Sequence, residues 1–385
     1  MADKLHGNSQ WAGRIIFHID LNSFYPSCEE LRDPSIKGKP HAVIMTDKPN
    51  GNITRGVVAS CSYEAKKMGV KSAMPLSKAL ELCSDMILKA VDISYYKQIS
   101  EKLMNILESY ADALEQASID EAYLECTKKI ISSDITIEQY ADIVKKAIMQ
   151  QFGLLCSIGV ASTKSAAKIA SDYQKPDGLT VIYPDKLQKF LEPLEVERIS
   201  GVGIKTEEIL KEEMGIESIG QLASYDVQKL MERFGKKGVW MWQVANGQDN
   251  EPVVPREDHI SLSNEYTLER FTNDKKSILD GLTSLVDELY EKVNGNGYEF
   301  KTVGIKLVKA DFTIETRERS YTNYQNNKES ISSVIANLLD KCSFFDEIDR
   351  NSFTVSVRKI GLRVSNLVRI EKKKSANQKS LLDYI

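Results

Sequence analysis

Two adjacent carboxylates, Asp120 and Glu121, constrain this chain more than any other feature; they sit in the stretch 116–125, Gln-Ala-Ser-Ile-Asp-Glu-Ala-Tyr-Leu-Glu. The runs on either side, 113–117 and 122–126, read as short strands. Successive side chains of a straight strand point to opposite faces, so both acids can serve one site only where the backbone bends, which places them at a hairpin tip. A third carboxylate, Asp20, closes the run 14–20, Arg-Ile-Ile-Phe-His-Ile-Asp, a strand candidate with so few polar residues that it should be buried on both faces. An acid at the end of such a strand suits a site at the sheet's edge, where Asp20, Asp120 and Glu121 together can hold hard divalent ions such as Mg²⁺. Oxygen-only ligation of this kind points to phosphoryl transfer, because two metals can clamp the attacking and leaving oxygens. An Asp-Glu pair by itself is more often a solvated surface pair, and only its surroundings distinguish a site from such a pair.

A chain of 385 residues is longer than a single core supports, and two to four domains are expected. Its 42% hydrophobic and 28% charged residues describe an ordinary globular protein. No apolar run approaches the roughly 18 residues of a membrane span, and residues 1–10 lack the apolar core of a signal peptide, so a cytosolic location is expected. Six cysteines without a Cys-x-x-Cys pair, beside only four histidines, read as reduced structural thiols rather than a zinc site. The net charge of -4 is unusual for a nucleic-acid binder, but basic footprints are local: 191–217 is rich in Glu, whereas 350–374 carries Arg350, Arg358, Lys359, Arg363, Arg369 and the run Lys372, Lys373, Lys374.

Along the chain, 24–32 reads as a short helix, 42–45 and 56–60 as strands, and 62–68 and 75–83 as helices. A long helix over 95–113 precedes the carboxylate hairpin; a helix over 137–152, a strand over 155–160 and a helix over 162–173 follow it. Strands interleaved with two long helices match a split βαβ, ferredoxin-like sheet. From 184 to about 247 the pattern changes to short helices, centred on Gly201-Val202-Gly203 and followed by Thr206, read as an N-cap with first-turn acids. The two glycines allow close approach to a phosphate, and the helix start beyond them offers amides to it. The segment 250–258 reads as a linker. Beyond it, strands at 260–268, 301–309, 314–321 and 353–362 alternate with helices at 275–294 and 329–341, a second split βαβ order.

The stretches 20–25, 59–66, 118–124, 167–170 and 175–178 resemble, in order and spacing, the Y-family or translesion DNA polymerases, most closely the archaeal DinB-like branch, over about residues 14–370. The resemblance implies an α+β, multidomain right-hand polymerase. Its ferredoxin-like palm would span 1–23 and 90–182, small fingers 24–89, a helical thumb with a helix-hairpin-helix 183–249, the linker 250–258, and a DNA-binding split βαβ little finger 259–371. The tail, 372–385, resembles a sliding-clamp-binding box through Gln378, Leu381 and Tyr384, with Ile385 where a second aromatic is usual.

The implied activity is template-directed, low-fidelity, distributive DNA synthesis past damaged bases by a monomer that binds primer–template DNA, deoxynucleotides and a sliding clamp. Two Mg²⁺ ions would be held by Asp20, Asp120 and the Leu21 carbonyl, and by Asp20, Asp120 and Glu121. Ser60, Tyr63, Lys66 and Lys175 would contact the triphosphate, Tyr25 would exclude a ribose 2′-hydroxyl, and Phe24 would back the sugar. Gly201, Val202 and Gly203 would meet a DNA phosphate. Three residues depart from the family pattern: Lys66 replaces an Arg, Thr163 stands where Asn is usual, and Val57 is bulkier than the common Ala. A catalytically silent scaffold for DNA and clamp is the alternative, but three converging acids repel one another without metal and serve no structural purpose. A nucleotidyl cyclase on the same palm would have no duplex for the later domains to hold.

Overall fold

The computed structural model describes residues 11, 13–46, 53, 55–255, 258–345 and 356–370. The chain divides into two compact units, Met1–Arg256 and Glu257–Ile385.

In chain order the first unit contains β1 (Ile16–Leu21), α1 (Phe24–Arg32), β2 (His41–Met45), β3 (Val57–Cys61), α2 (Tyr63–Lys67), α3 (Leu76–Leu82), β4 (Ile87–Ala90), α4 (Ile93–Ser109), β5 (Ala113–Gln116), β6 (Glu121–Glu125), α5 (Thr127–Ile131), α6 (Ile137–Phe152), β7 (Cys156–Ala161), α7 (Lys164–Tyr173) and β8 (Leu179–Val181). The central sheet runs β5-β6-β1-β7-β8, antiparallel except for the parallel β7–β8 pair. β1 lies between β6 and β7, and β6 between β5 and β1, so each βαβ unit is split by a strand of the other, the ferredoxin-like arrangement.

All six β1 residues are buried, as the apolar run requires. Their alternation decides which layer each one meets. Phe17, Ile19 and Leu21 join Leu103 and Leu107 of α4 and Val144 and Ile148 of α6, whereas Ile16 joins Ala167 and Ala170 of α7. His18 and Asp20 therefore share the α7 side with Ile16. α6 begins where the pattern places it because Thr136 and Gln139 form a reciprocal capping box. α4 starts two residues earlier than expected and stops short of 113: the Asp92 side chain caps it through Tyr95 N–H, and Ala113 is needed for β5. A further three-stranded sheet, β3-β2-β4, packs Ala42, Ile44 and Val58 against Ala65, Leu76 and Ala79. β4, its parallel edge strand, escaped the sequence reading, since four residues are too few to display a period.

The helical segment holds α8 (Leu187–Leu191), α9 (Ile204–Glu208), which runs into a π-helical turn Ile209–Glu213, then α10 (Ile219–Ala223), α11 (Val227–Phe234) and α12 (Lys236–Ala245). Leu210, Leu222, Leu230 and Met241 form its core, continuous with the outer face of α7. The N-cap of α9 is Gly203, not Thr206: extended backbone at Gly203 (φ -92°, ψ 173°) ends the turn, and Thr206 N–H already donates to the Gly203 carbonyl at 2.8 Å inside the helix.

The second unit comprises β9 (Ser261–Thr272), α13 (Lys275–Ser284), α14 (Val286–Gly295), β10 (Tyr298–Lys309), β11 (Ile314–Gln325), α15 (Lys328–Asp340), β12 (Val357–Ser365) and the short β13 (Val368–Arg369). The expected single helix over 275–294 is interrupted at Leu285, which ends α13 and serves as the N-cap of α14. The sheet order β11-β10-β12-β9 is wholly antiparallel, and both βαβ units are split: β12 separates β9 from β10, and β10 separates β11 from β12. One face buries Val303, Ile305, Leu307, Ile360 and Leu362 under the helices; the other faces solvent.

Candidate active site

The hairpin places the acids as their spacing suggests. Asp120 lies in the β5–β6 turn and Glu121 opens β6, directly opposite Asp20 at the end of β1. The Asp120 carbonyl accepts from Leu21 N–H at 3.0 Å, and Ser118 Oγ donates to the Asp120 carboxylate at 2.5 Å.

Each of the other two acids meets an ammonium group from the α7 region. Lys168 Nζ donates to both Glu121 oxygens, at 2.6 and 2.7 Å. Lys175 Nζ bridges Asp20 at 2.7 Å and Asp172 at 2.6 Å. The loop that carries Lys175 is itself pinned, since Asp177 N–H donates to Asn22 Oδ1 at 2.7 Å and Asn22 Nδ2 donates to Ser157 Oγ at 3.0 Å. His18 lies beneath, with Nδ1 2.7 Å from Ser171 Oγ and Nε2 3.8 Å from Glu121.

These surroundings drive the carboxylates in opposite directions. Burial raises Asp20 to about 7, and Lys175 offsets only part of that cost. Lys175 is itself held above its ordinary range: burial pulls it down, but it is less enclosed than Asp20 and faces two carboxylates. His18 and then Lys168 hold Glu121 below the usual carboxylate range. Burial lowers the His18 pKa and keeps it neutral, so Lys168 supplies the fixed positive charge.

The remaining candidates surround this centre. Lys66 Nζ donates to Ser23 Oγ at 2.8 Å and lies 4.3 Å from the Tyr63 ring centroid. The Tyr63 phenol is raised by burial and also senses Lys175, Ser23 and Asp20, so the α2 face points at the acids. Ser60 is half-buried on β3, opposite Val43. Tyr25 stacks on Tyr96 at 4.5 Å between centroids and 18° between planes, while Tyr96 OH donates to Glu29 at 2.8 Å. Burial, and then the Asp120 carboxylate, raises the Tyr25 phenol, which puts the ring beside the acids. Phe24 is 2% exposed and belongs to the core against Tyr96. Thr163 caps α7 through Ala166 N–H at 3.2 Å.

Gly201, Val202 and Gly203 lie in the helical segment, immediately before α9. Gly201 has φ +101°, with Trp240 3.2 Å from where a Cβ would be, and Gly203 has open space at that position. Gln378, Leu381, Tyr384 and Ile385 fall outside the described residues. Sequence reasoning assigned no role to Lys168, Asp172, His18 or Ser118, although Ser118 stands two residues before Asp120, Asp172 three before Lys175, and Lys168 within the stretch 167–170.

Among the described residues no group of three or more His, Cys, Asp or Glu side chains is arranged to hold a metal ion. The donor chemistry nevertheless fits hard cations: all three acids offer oxygen only, and two ammonium groups already lie against two of them. Among the same residues no helix is long and apolar enough to cross a membrane.

A profile of the impB/mucB/samB family matches residues 19–172, and that of its C-terminal domain matches 259–381. A helix-hairpin-helix profile described for DNA polymerase eta and Rev1 matches 194–248. The chain is 40% identical over 326 residues to the DNA polymerase IV of Methanoculleus marisnigri, covering 85% of this chain and 89% of that one. It is similar to the solved Y-family DNA polymerase chimera of Dbh and Dpo4 (TM-score 0.81, 30% identity, 92% of this chain and 99% of that chain). It is also similar to Dbh DNA polymerase in an insertion ternary complex (TM-score 0.63, 31% identity, 92% and 99%).

Proposed function

Since the chain belongs to the Y-family DNA polymerases of the impB/mucB/samB family, we propose that it extends a primer 3′ end with deoxynucleotides and continues past damaged template bases. The observation that carries this reading is the register of Asp20 against Glu121, with Asp120 bonded to the Leu21 backbone, at a sheet end surrounded by lysines and tyrosines.

Asp20, Asp120 and the Leu21 carbonyl would hold the Mg²⁺ that enters with the nucleotide, and Asp20, Asp120 and Glu121 the second ion. Bound there, the two ions would neutralise the developing phosphate charge and lower the pKa of the primer hydroxyl. The chain's own residues do the positioning. Lys175, Lys66, Tyr63 and Ser60 donate to the β- and γ-phosphates; Lys175 would be available for this where a cation, rather than its ammonium, neutralised Asp20. Tyr25, its ring fixed by Tyr96, occupies the space a 2′-hydroxyl would need and selects deoxynucleotides by exclusion. The 183–249 segment acts as thumb and 24–89 as fingers around the 1–23 and 90–182 palm. Gly201 to Gly203 meet a duplex phosphate, and the 259–371 unit grips the duplex beyond the linker 250–258. The enzyme works as a cytosolic monomer, and its last eight residues attach it to a sliding clamp; their deletion should abolish co-elution with an archaeal-type clamp ring and leave extension of short primers intact.

Primer extension on undamaged and abasic templates with Mg²⁺ tests the activity. Wild type should extend both, Asp120→Ala/Glu121→Ala neither, and Tyr25→Ala should gain ribonucleotide insertion. A folded wild type that incorporates nothing with any divalent metal would leave only the DNA-binding scaffold.

A further inference from the structure

On the solvent face of the second unit's sheet, strand register aligns Lys306, Gly361 and Glu265 in one cross-strand row and Gly304, Arg363 and Ser263 in the next. Gly361 at the centre of the first row and Gly304 at the β10 end of the second leave a shallow trough of about 380 Å³, lined by Glu265, Lys306, Arg317, Glu318 and Arg363 among others. Glu265 and Lys306 fold over Gly361: a Cβ there would meet Glu265 Cγ at 3.1 Å and Lys306 Cβ at 3.4 Å.

One carboxylate thereby serves two ammonium groups. Lys306 Nζ donates to one Glu265 oxygen at 2.7 Å, and Lys359 Nζ pairs with the other. The two lysines hold Glu265 below the usual carboxylate range, Lys306 foremost. Two donors closing on two oxygens of one anion is the arrangement that a phosphodiester would also satisfy. Arg363 is exposed beside them and has no carboxylate partner among the described residues, so the face retains net positive charge where a polyanion would lie.

We infer that Glu265 is a displaceable stand-in for a backbone phosphate of duplex DNA, one that keeps the grip of this face weak. The inference rests on the proposed polymerase function and names the residue that sets its DNA affinity. The side chains of Glu265, Lys306 and Lys359 are 28–33% exposed, so water screens each ion pair and exchange for a phosphate costs little. The exchange also gains little, since one anion replaces another and the released carboxylate gathers a counterion. A polymerase held this way leaves its template readily, in keeping with distributive synthesis.

Fluorescence anisotropy with a labelled primer–template and the full-length protein in EDTA, from about 50 to 200 mM NaCl, tests this. Glu265→Gln should bind at least about threefold tighter at intermediate salt, and its log Kd should depend more steeply on log salt by about one unit. Adding Lys306→Gln should remove the gain, and melting curves of both variants should match wild type. Unchanged or weaker binding by a folded Glu265→Gln, beside a wild type that binds, overturns the inference and leaves the polymerase reading intact. A wild type without affinity for primer–template at any salt overturns both.

Discussion

At the residue scale, opposite environments act on neighbouring acids of one strand pair. Asp20 is 8% exposed and raised to about 7, well above the ordinary carboxylate value of about 3.9. A folded-state pKa above the unfolded one means that the native state binds the extra proton. The resulting stability is full below about pH 4 and is lost as pH rises through about 7. In EDTA, Asp20→Asn should therefore melt increasingly higher than wild type as pH is raised from 4 to 8, a difference that thermal denaturation reads directly. The same proton competes with a divalent ion, so calorimetric Mg²⁺ affinity should weaken by up to about tenfold per pH unit below 7. Val57, 41% exposed on β3, offers a second test at this scale. If its bulk over the nascent pair limits what the site accepts, Val57→Ala should improve bypass of a bulky adduct without changing undamaged extension.

At the scale of elements, α7 decides whether the site assembles. It crosses β7 at Gly159, where a Cβ would lie 2.1 Å from the Ala167 carbonyl and 2.3 Å from Ser171 N, both backbone atoms that cannot yield singly. Gly159→Ala should cost about 1–3 kcal/mol or more in urea unfolding and, by lifting α7, should separate Lys168 from Glu121. Residual extension activity should then fall by more than the folded fraction explains. The helix itself was readable in the sequence, over 162–173. That Lys168 meets an acid 47 residues earlier was not, because the contact depends on the distance at which helix and sheet pack. The Thr163 cap shows the reverse case: a residue that looked like a departure from a functional pattern has a local structural task.

At the scale of the whole molecule, the first and second units have separate cores, one around Phe17, Leu103 and Val144 and one around Phe300, Leu338 and Leu362. Differential scanning calorimetry of the full chain should show two transitions, and Phe300→Ala should lower only one of them, by about 3–5 kcal/mol of that unit's stability. A net charge of -4 does not prevent the second unit from presenting a face with Lys306, Lys359 and Arg363 together, because charge acts over about 10 Å at ordinary salt rather than over a chain total.

By itself the sequence determined what depends on neighbours within a turn or a pleat. The strand of 14–20 was readable from its unbroken apolar run, the bend at Asp120-Glu121 from two acids that one straight strand cannot aim together, and the two βαβ orders from alternating periods. Only the tertiary structure decided which strand separates which, that Lys175 reaches Asp20 across 155 residues, and that Glu265 spans two lysines on neighbouring strands. Caps and periods are encoded by adjacent residues; ion pairs between distant segments are set by register and layer spacing, which no short window of sequence contains.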